Sequence, residues 1–411
     1  MTAGSGTRTP ADPAVWRETG SPLLLATGAG LLTGMSVAVK DLFALEGFRI
    51  GAGNEEWLAG AETETTTAPA AVALLAAGAV VAGIARTDEF AYSLAGTNSH
   101  YGTPPNPQAP GRISGGSSSG SASAVSLGQA TIGLGTDTGG SIRVPSAYQG
   151  LFGIRTTHGA VSTAGVLPLA PSLDTVGWMA RDAATLAAVG SVLLPQRPAM
   201  PLADAAFVPE LLALAEPDVG RAVKECLNDW AGTPGLPRLD APSLRTGDLP
   251  EWLTAFQTVQ GHEAWQQHGP WVIRHWDSLG PDVAGRFRAA SRIEQRQADD
   301  ARDVLRAARQ HIRAVVGGGL LVLPSASSVA PLLSDAALGG HVIERVRRAT
   351  MTLSCIAGIA GLPAVNLPLT TEDGLPCGLS VIGPASRDAE LLALAVRLSG
   401  SLLSPRKASL A

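Results

Sequence analysis

The sequence predicts an α/β protein built on one interrupted sheet. Apolar, β-branched runs stand in both the first and the last third of the chain. Between them lies a long segment with helical spacing and charge pairing. Hydrophobic residues make up 45% of the 411 positions, ample for a buried core. Strands at both ends with a helical middle describe a chain that leaves a sheet and returns to it. At about 100–200 residues per domain the length would allow two or three. The pattern instead favours a single domain over 1–411, with a mainly helical layer or cap at about 181–316.

The elements follow in order. The run Met35–Phe43, MSVAVKDLF, is apolar and β-branched, as an interior strand should be. Ala68–Ala85 is the most membrane-like stretch, but Pro69, Gly78 and Gly83 interrupt it and its length is marginal for a bilayer. It divides better into a short helix, Ala70–Ala77, and a buried strand, Ala79–Ile84. Residues 102–123 are too rich in Pro, Gly and Ser to be regular, and they lead into the small-residue element Ala124–Ile132. DDARDVLRAARQHIRAVV carries the helical period of the middle segment. After Gly319, LLVLPSA and CGLSVIGP read as strands, SCIAGIAGLPAVNLPL as a helix passing into a strand, and AELLALAVRLSG as a closing helix.

Composition excludes several functions. Charged residues are 16%, the net charge is −5, and no Lys/Arg cluster occurs, so neither nucleic acid nor an anionic membrane surface is an expected partner. The first residues contain no apolar stretch of signal-peptide type. Cys226, Cys355 and Cys377 cannot form a disulfide framework and lack metal-site spacing, which fits a reduced, cytoplasmic location. No His/Cys/Asp ligand spacing stands out, and neither a metal nor another cofactor is expected.

Two Gly/Ser loops are candidates for chemistry, Gly115–Ser121 and Gly135–Ser141. Flexible linkers would look similar, but each loop lies between apolar elements, and the second is followed by Arg143 and contains Asp137. Neither has the Lys-Ser/Thr ending of a P-loop, and Gly133–Thr138 fails the dinucleotide pattern at its last position. Gly116–Gly120 formally matches GxSxG, yet a nucleophile elbow must follow a strand, which PNPQAPGRIS cannot supply. His341, a formal partner for such a serine, fits a helix start equally well. Lys40 stands inside the apolar run and, by strand alternation, faces away from Asp41. Buried, it would have a lowered pKa and could act as a base; at a sheet edge it would be a partly exposed ion-pair partner. Strand pattern alone leaves both open.

Together the motifs VAVKDLF, GGSSSGSA, GTDTGGSIRVPSA and GIRTTHGAVS resemble those of the amidase signature family of Ser–cis-Ser–Lys hydrolases. The likeness continues through DEFAYSLAGTNSHYGTPPNP, SLDTVGW, GLPAVNLPL and EDGLPCGLSVIG, spanning about Thr33 to Leu398. The wording of DLFALEGFRIGAGNEEWL and SHYGTPPNP is most similar to indole-3-acetamide hydrolase-like amidases. The resemblance implies a large mixed central β-sheet sandwiched between helical layers. It makes Lys40 the catalytic lysine, Ser117 the bridging serine after a cis peptide, and Ser141 the nucleophile. Asp137, Arg143 and Asp174 become structural members of the nucleophile loop, and His100 and His158 structural histidines. Departures are Gln149, where many members have Cys, and Arg155-Thr156, where many have Lys-Pro; both should alter packing around the site more than the relay.

The chemistry explains these residue types. A serine hydroxyl must lose its proton as it attacks, and a neutral lysine can draw that proton through a second hydroxyl. Glycines in Thr138–Ser141 let the N–H groups of Thr138, Gly139, Gly140 and Ser141 converge on a developing oxyanion. The expected substrate is a small carboxylic amide, an arylacetamide among them, and a homodimer is allowed. Trp252, Trp265, Trp271 and Trp276 would either line an aromatic pocket or, as helical spacing more often means, belong to the core. Two other functions share the motifs: the glutamine-hydrolysing subunit of a tRNA-dependent amidotransferase, and a non-catalytic receptor-like homologue. The receptors of this kind carry an anchor and helical repeats, neither of which is expected from this sequence, and Lys40, Ser117 and Ser141 are retained.

Overall fold

A computed structural model describes residues 12–202, 204–242, 244–336 and 340–403. Most of the amino-terminal stretch read for a signal lies outside them. Eleven strands form one sheet: β1 (Trp16–Leu24), β2 (Ser36–Lys40), β3 (Val80–Ala85), β4 (Ile132–Thr136), β5 (Phe152–Arg155), β6 (Val176–Ala180), β7 (Asp204–Phe207), β8 (Arg238–Asp240), β9 (Leu320–Pro324), β10 (Ala364–Thr370) and β11 (Pro376–Ile382). Their spatial order is β1-β3-β2-β4-β6-β5-β10-β11-β9-β7-β8. Pairing is parallel at β3/β2/β4 and β9/β7/β8 and antiparallel elsewhere. The mixed sheet between helices that the resemblance implied is therefore present.

Strand alternation sorts the side chains between two cores. Val37 and Val39 point into one core, shared with Leu74, Leu186, Val223 and Leu391 of the helices Pro69–Ala76, Ala183–Leu193, Pro217–Gly232 and Asp388–Leu402. On the opposite face the helices Leu249–Val272, Pro281–Ala290, Gln295–Val316 and His341–Ala360 enclose a second core that includes Trp252, Phe256, Phe287, Leu305 and Ile356. Ala38, on the side of β2 that also carries Lys40, packs with Ala124 of the helix Ser119–Ser126. Small residues let that helix lie close to the sheet. A Cβ on Gly120 would come within 2.6 Å of the carbonyl oxygens of Arg86 and Val15, and one on Gly133 within 2.9 Å of Ser121 O.

Two differences from the sequence reading matter. The segment 181–316 is mainly helical, as expected, but it also supplies β7 and β8, which extend one edge of the sheet. Strands of four and three residues among Ala and Pro leave almost no period to read. The Met35–Phe43 strand stops at Lys40, where the N–H groups of Leu42 and Phe43 turn back onto Lys40 O. The helix and strand expected within Ala68–Ala85 appear as Pro69–Ala76 and Val80–Ala85. His341 does begin a helix. Among the described residues, no helix is long and apolar enough to cross a membrane.

Candidate active site

Lys40 ends a central strand and is fully buried, which removes the edge-strand alternative. Its Nζ lies 2.8 Å from Ser117 Oγ and 2.8 Å from Thr136 Oγ1. Burial lowers its pKa to about 7, although Asp88, Asp174 and Asp137 oppose the shift. Asp41 faces elsewhere, accepting from Gly51 N at 2.9 Å and pairing with Arg17 at 2.8 Å. Thr136 was not among the residues singled out from sequence. It reaches Lys40 because β2 and β4 are parallel neighbours, with Val39 opposite Leu134.

The Gly115–Ser121 loop is no linker. Ser117, Ser118, Ser119 and Ser121 are buried, and the hydroxyls of the last three are anchored. Ser118 donates to Thr136 O, Ser119 to Asp88 Oδ1 and Ser121 to Leu134 O, at 3.2, 2.9 and 3.1 Å. The Gly116–Ser117 peptide bond is cis. This loop joins the second one through Ser118 N, which donates to Ser141 O at 3.3 Å.

Asp137 organises the second loop. Its carboxylate accepts from Gly140 N at 2.9 Å and Ile142 N at 3.2 Å, and from Arg143 Nη2 and Nε at 2.9 and 3.0 Å. Arg155 Nη1 adds a contact at 3.1 Å. Burial pushes the Asp137 carboxyl up, but the two guanidiniums outweigh it and hold the group well below the usual carboxylate range. Arg155, one of the departures expected to alter packing, also donates to Asp137 O, to Thr138 O at 3.0 Å and to Leu173 O at 2.9 Å. Gln149 Nε2 donates to Ser114 O at 3.0 Å. Asp174 accepts from Thr138 Oγ1 at 2.6 Å. These contacts give Asp137, Arg143 and Asp174 the structural places expected of them. An Asp137→Asn variant is expected to lose about 3–5 kcal/mol in denaturant unfolding, because two buried cations lose their carboxylate. The stabilisation should be complete above the ordinary Asp pKa and vanish only in strong acid; a loss below about 1 kcal/mol would contradict this account.

One expectation needs correction. Of the four amides in Thr138–Ser141, that of Gly140 is turned inward to Asp137 rather than left free to converge with the others. Among the described residues, those of Thr138, Gly139 and Ser141 meet no protein acceptor. Gly139 O is fixed from behind by the Ser354 hydroxyl. Ser141 and Gly139 line a cavity of about 210 Å³ together with Tyr92, Leu94, Gln257 and Met351. A second cavity, also about 210 Å³, lies on the side of Thr136, Thr138 and Asp174, and Ala91 lines both.

The histidines stand apart. His100 pairs with Glu89 at 3.0 Å, and His158 contacts Pro171 O at 3.0 Å on the surface. The four tryptophans are absent from the wall beside Ser141: Trp252 is core, Trp265 stacks on Trp276, and Trp271 stacks on His275. Tyr92 is the aromatic ring that wall contains.

A buried lysine–serine contact beneath a Gly/Ser loop, on a large mixed sheet between helical layers, accords with an amidohydrolase. The chain belongs to the amidase signature family, a family of hydrolases acting on carbon–nitrogen amide bonds. The family model described as Amidase matches residues 23–218. Amidase 1 of Arabidopsis thaliana is 37% identical over 91% of this chain and 94% of its own length. The 2-amino-5-chloromuconic acid deaminase of Comamonas testosteroni is 30% identical over 89% of this chain and 81% of its own. The chloroplastic Outer envelope protein 64 of Arabidopsis thaliana is 32% identical, the match covering 88% of this chain and 65% of that protein. A solved structure described as a crystal structure of amidase superposes with a TM-score of 0.81 at 29% identity, over 91% of this chain and 86% of the other.

Proposed function

We propose that the whole chain acts as one amidase domain, hydrolysing small carboxylic amides through an acyl-serine intermediate. The observation that carries this is the buried Lys40 Nζ at 2.8 Å from Ser117 Oγ, with its pKa brought to about 7. Neutral Lys40 has one lone pair. With an N–H directed to Thr136, that lone pair is free to take the Ser117 proton as Ser117 takes the proton of Ser141. Ser141 Oγ then bonds to the amide carbon. The oxygen gathers negative charge facing the amides of Gly139 and Ser141, with Thr138 as a third donor.

Collapse breaks the carbon–nitrogen bond, and the relay returns the proton to the departing ammonia or amine. Water, deprotonated by the same relay, hydrolyses the acyl ester and regenerates Ser141. Free, buried cysteines at 226, 355 and 377 support a reduced, cytoplasmic setting. Arylacetamides enter as substrates through the sequence resemblance, with Tyr92 as the aromatic contact.

The test is a panel of aliphatic, arylacetic and arylcarboxylic amides, assayed for ammonia release and quenched for mass spectrometry of the Ser141 peptide. An acyl adduct on that peptide is expected during turnover. Turnover with the adduct on another residue would overturn the assignment. No turnover of any amide would favour the receptor-like alternative, and glutamine cleavage solely in the presence of partner subunits the amidotransferase one.

A further inference from the structure

Among the described residues lining the cavity beside Ser141, the charged ones are Arg286 and Arg347. They approach from different helices, Pro281–Ala290 and His341–Ala360. The rest of the polar wall is neutral, formed by Tyr92, Ser93, Gln257 and Gln260 beside Ser141. Each arginine pairs with a carboxylate on its own helix: Asp282 is 3.2 Å from Arg286, and Glu344 is 3.5 Å from Arg347. Both acids line an adjoining cavity, which the two arginines line as well, and neither acid lines the one beside Ser141.

Neither guanidinium is saturated by these contacts. Arg286 donates to Tyr92 O and Asp282 through Nη1, while its Nε is buried without a partner among the described residues. Arg347 has its pKa lowered by burial first and by Arg286 second, with Glu344, Asp282 and Tyr92 opposing. Two cations are thus held near one another in a partly dry wall, and an anion between them would relieve their repulsion. A guanidinium presents a planar fork that matches a carboxylate. The cavity volume is below the roughly 300–1,000 Å³ of drug-sized sites, which suits a short acyl chain.

We propose that the preferred substrates carry a carboxylate on the acyl part, received between Arg286 and Arg347, so that ω-monoamides of short dicarboxylic acids are favoured over neutral amides such as arylacetamides. This rests on the hydrolase reading above and narrows it. One water is consumed, the amide carbon–nitrogen bond breaks, and the products are the dicarboxylate and ammonia. Among the described residues no carboxylate lines the cavity to receive an ammonium group, so an amino-acid amide such as glutamine should be a poorer substrate than its desamino analogue.

Glutaramate, its neutral methyl ester and glutamine are compared by ammonia release. Glutaramate is expected to exceed the ester by about 10²-fold in kcat/KM, and glutamine by at least about tenfold. Arg347→Met should reduce the glutaramate-over-ester preference in kcat/KM about tenfold or more, the loss lying in KM for glutaramate, and Arg347→Lys should restore part of it. Equal kcat/KM for glutaramate and its ester would overturn the proposal, and so would equal turnover of glutamine. Binding separates this idea from the hydrolase reading. Glutarate titrated calorimetrically into Ser141→Ala should bind saturably, and into the Ser141→Ala, Arg347→Met double variant about tenfold more weakly. Binding of this kind without turnover of any amide would count against the hydrolase while supporting the anion site. No saturable heat in Ser141→Ala would sink the anion site alone.

Discussion

Ser141→Ala is expected to lower kcat by about 10⁴-fold or more while leaving the melting temperature close to that of the parent. The size follows from what is removed: the atom that bonds to the carbonyl has no substitute, and what remains is binding and oxyanion stabilisation, which leave a small residual rate. Stability should hold because the loop is fixed by other groups. Asp137 anchors it through Gly140, Ile142 and two arginines, and Ser354 holds Gly139 O. The contact from Ser118 N is to the Ser141 backbone carbonyl, which an alanine keeps. Binding of an unreacted amide to this variant should therefore persist. Turnover above about one part in a hundred would reassign the nucleophile. Ser117→Ala is the comparison to run beside it, since it deletes a bridge rather than the attacking atom and should cost about 10²–10⁴-fold.

The residues of the site were more legible than their connections. Lys40 could be read as a buried oddity in an apolar strand, but the strand pattern could not tell a base from an edge lysine. Family resemblance singled out Lys40, and the structure gives the physical reason: β2 is interior, between β3 and β4. Thr136 went unnoticed because its contact depends on parallel pairing between segments 96 positions apart. The available signal was a threonine ending the strand before GTDTGG, which means little until β4 is known to neighbour β2. The turn of the Gly140 amide is hidden for a related reason. Four consecutive amides around two glycines suggest convergence, whereas Asp137, three residues earlier, is well placed to take one of them as an Asx-type turn does. The arginine pair was invisible, since Arg286 and Arg347 reach one cavity wall from two helices far apart in sequence. In the fold, long periodic elements such as Gln295–Val316 were readable, and the short β7 and β8 were not, because tertiary pairing rather than local pattern makes them strands.

Lys40 makes activity and stability both rise with pH, while its replacement moves the two in opposite directions. Its pKa lies near 7 in the folded chain against 10.5 when solvated, and burial is the leading cause. The form able to accept a proton is thus populated above about pH 7, so amide turnover by the parent should rise through that pH. Lys40→Ala should cost about 10³-fold near neutrality, lack that rise, and recover partly in alkali, where serine loses its proton without help. For stability, the unfolded chain binds the Lys40 proton more tightly than the folded one. Between pH 7 and 10.5 stability therefore increases with pH, and below 7 the full penalty of burying the amine is present. Lys40→Met, which keeps the volume and removes the charge, should accordingly raise the denaturation midpoint at pH 7, with the gain shrinking toward pH 10. An inactive variant more stable than its parent is the signature of a group retained for chemistry at the expense of the fold. A parent rate that is flat between pH 6 and 8, together with a Lys40→Met variant destabilised at pH 7, would remove Lys40 from the relay and return it to a purely structural place.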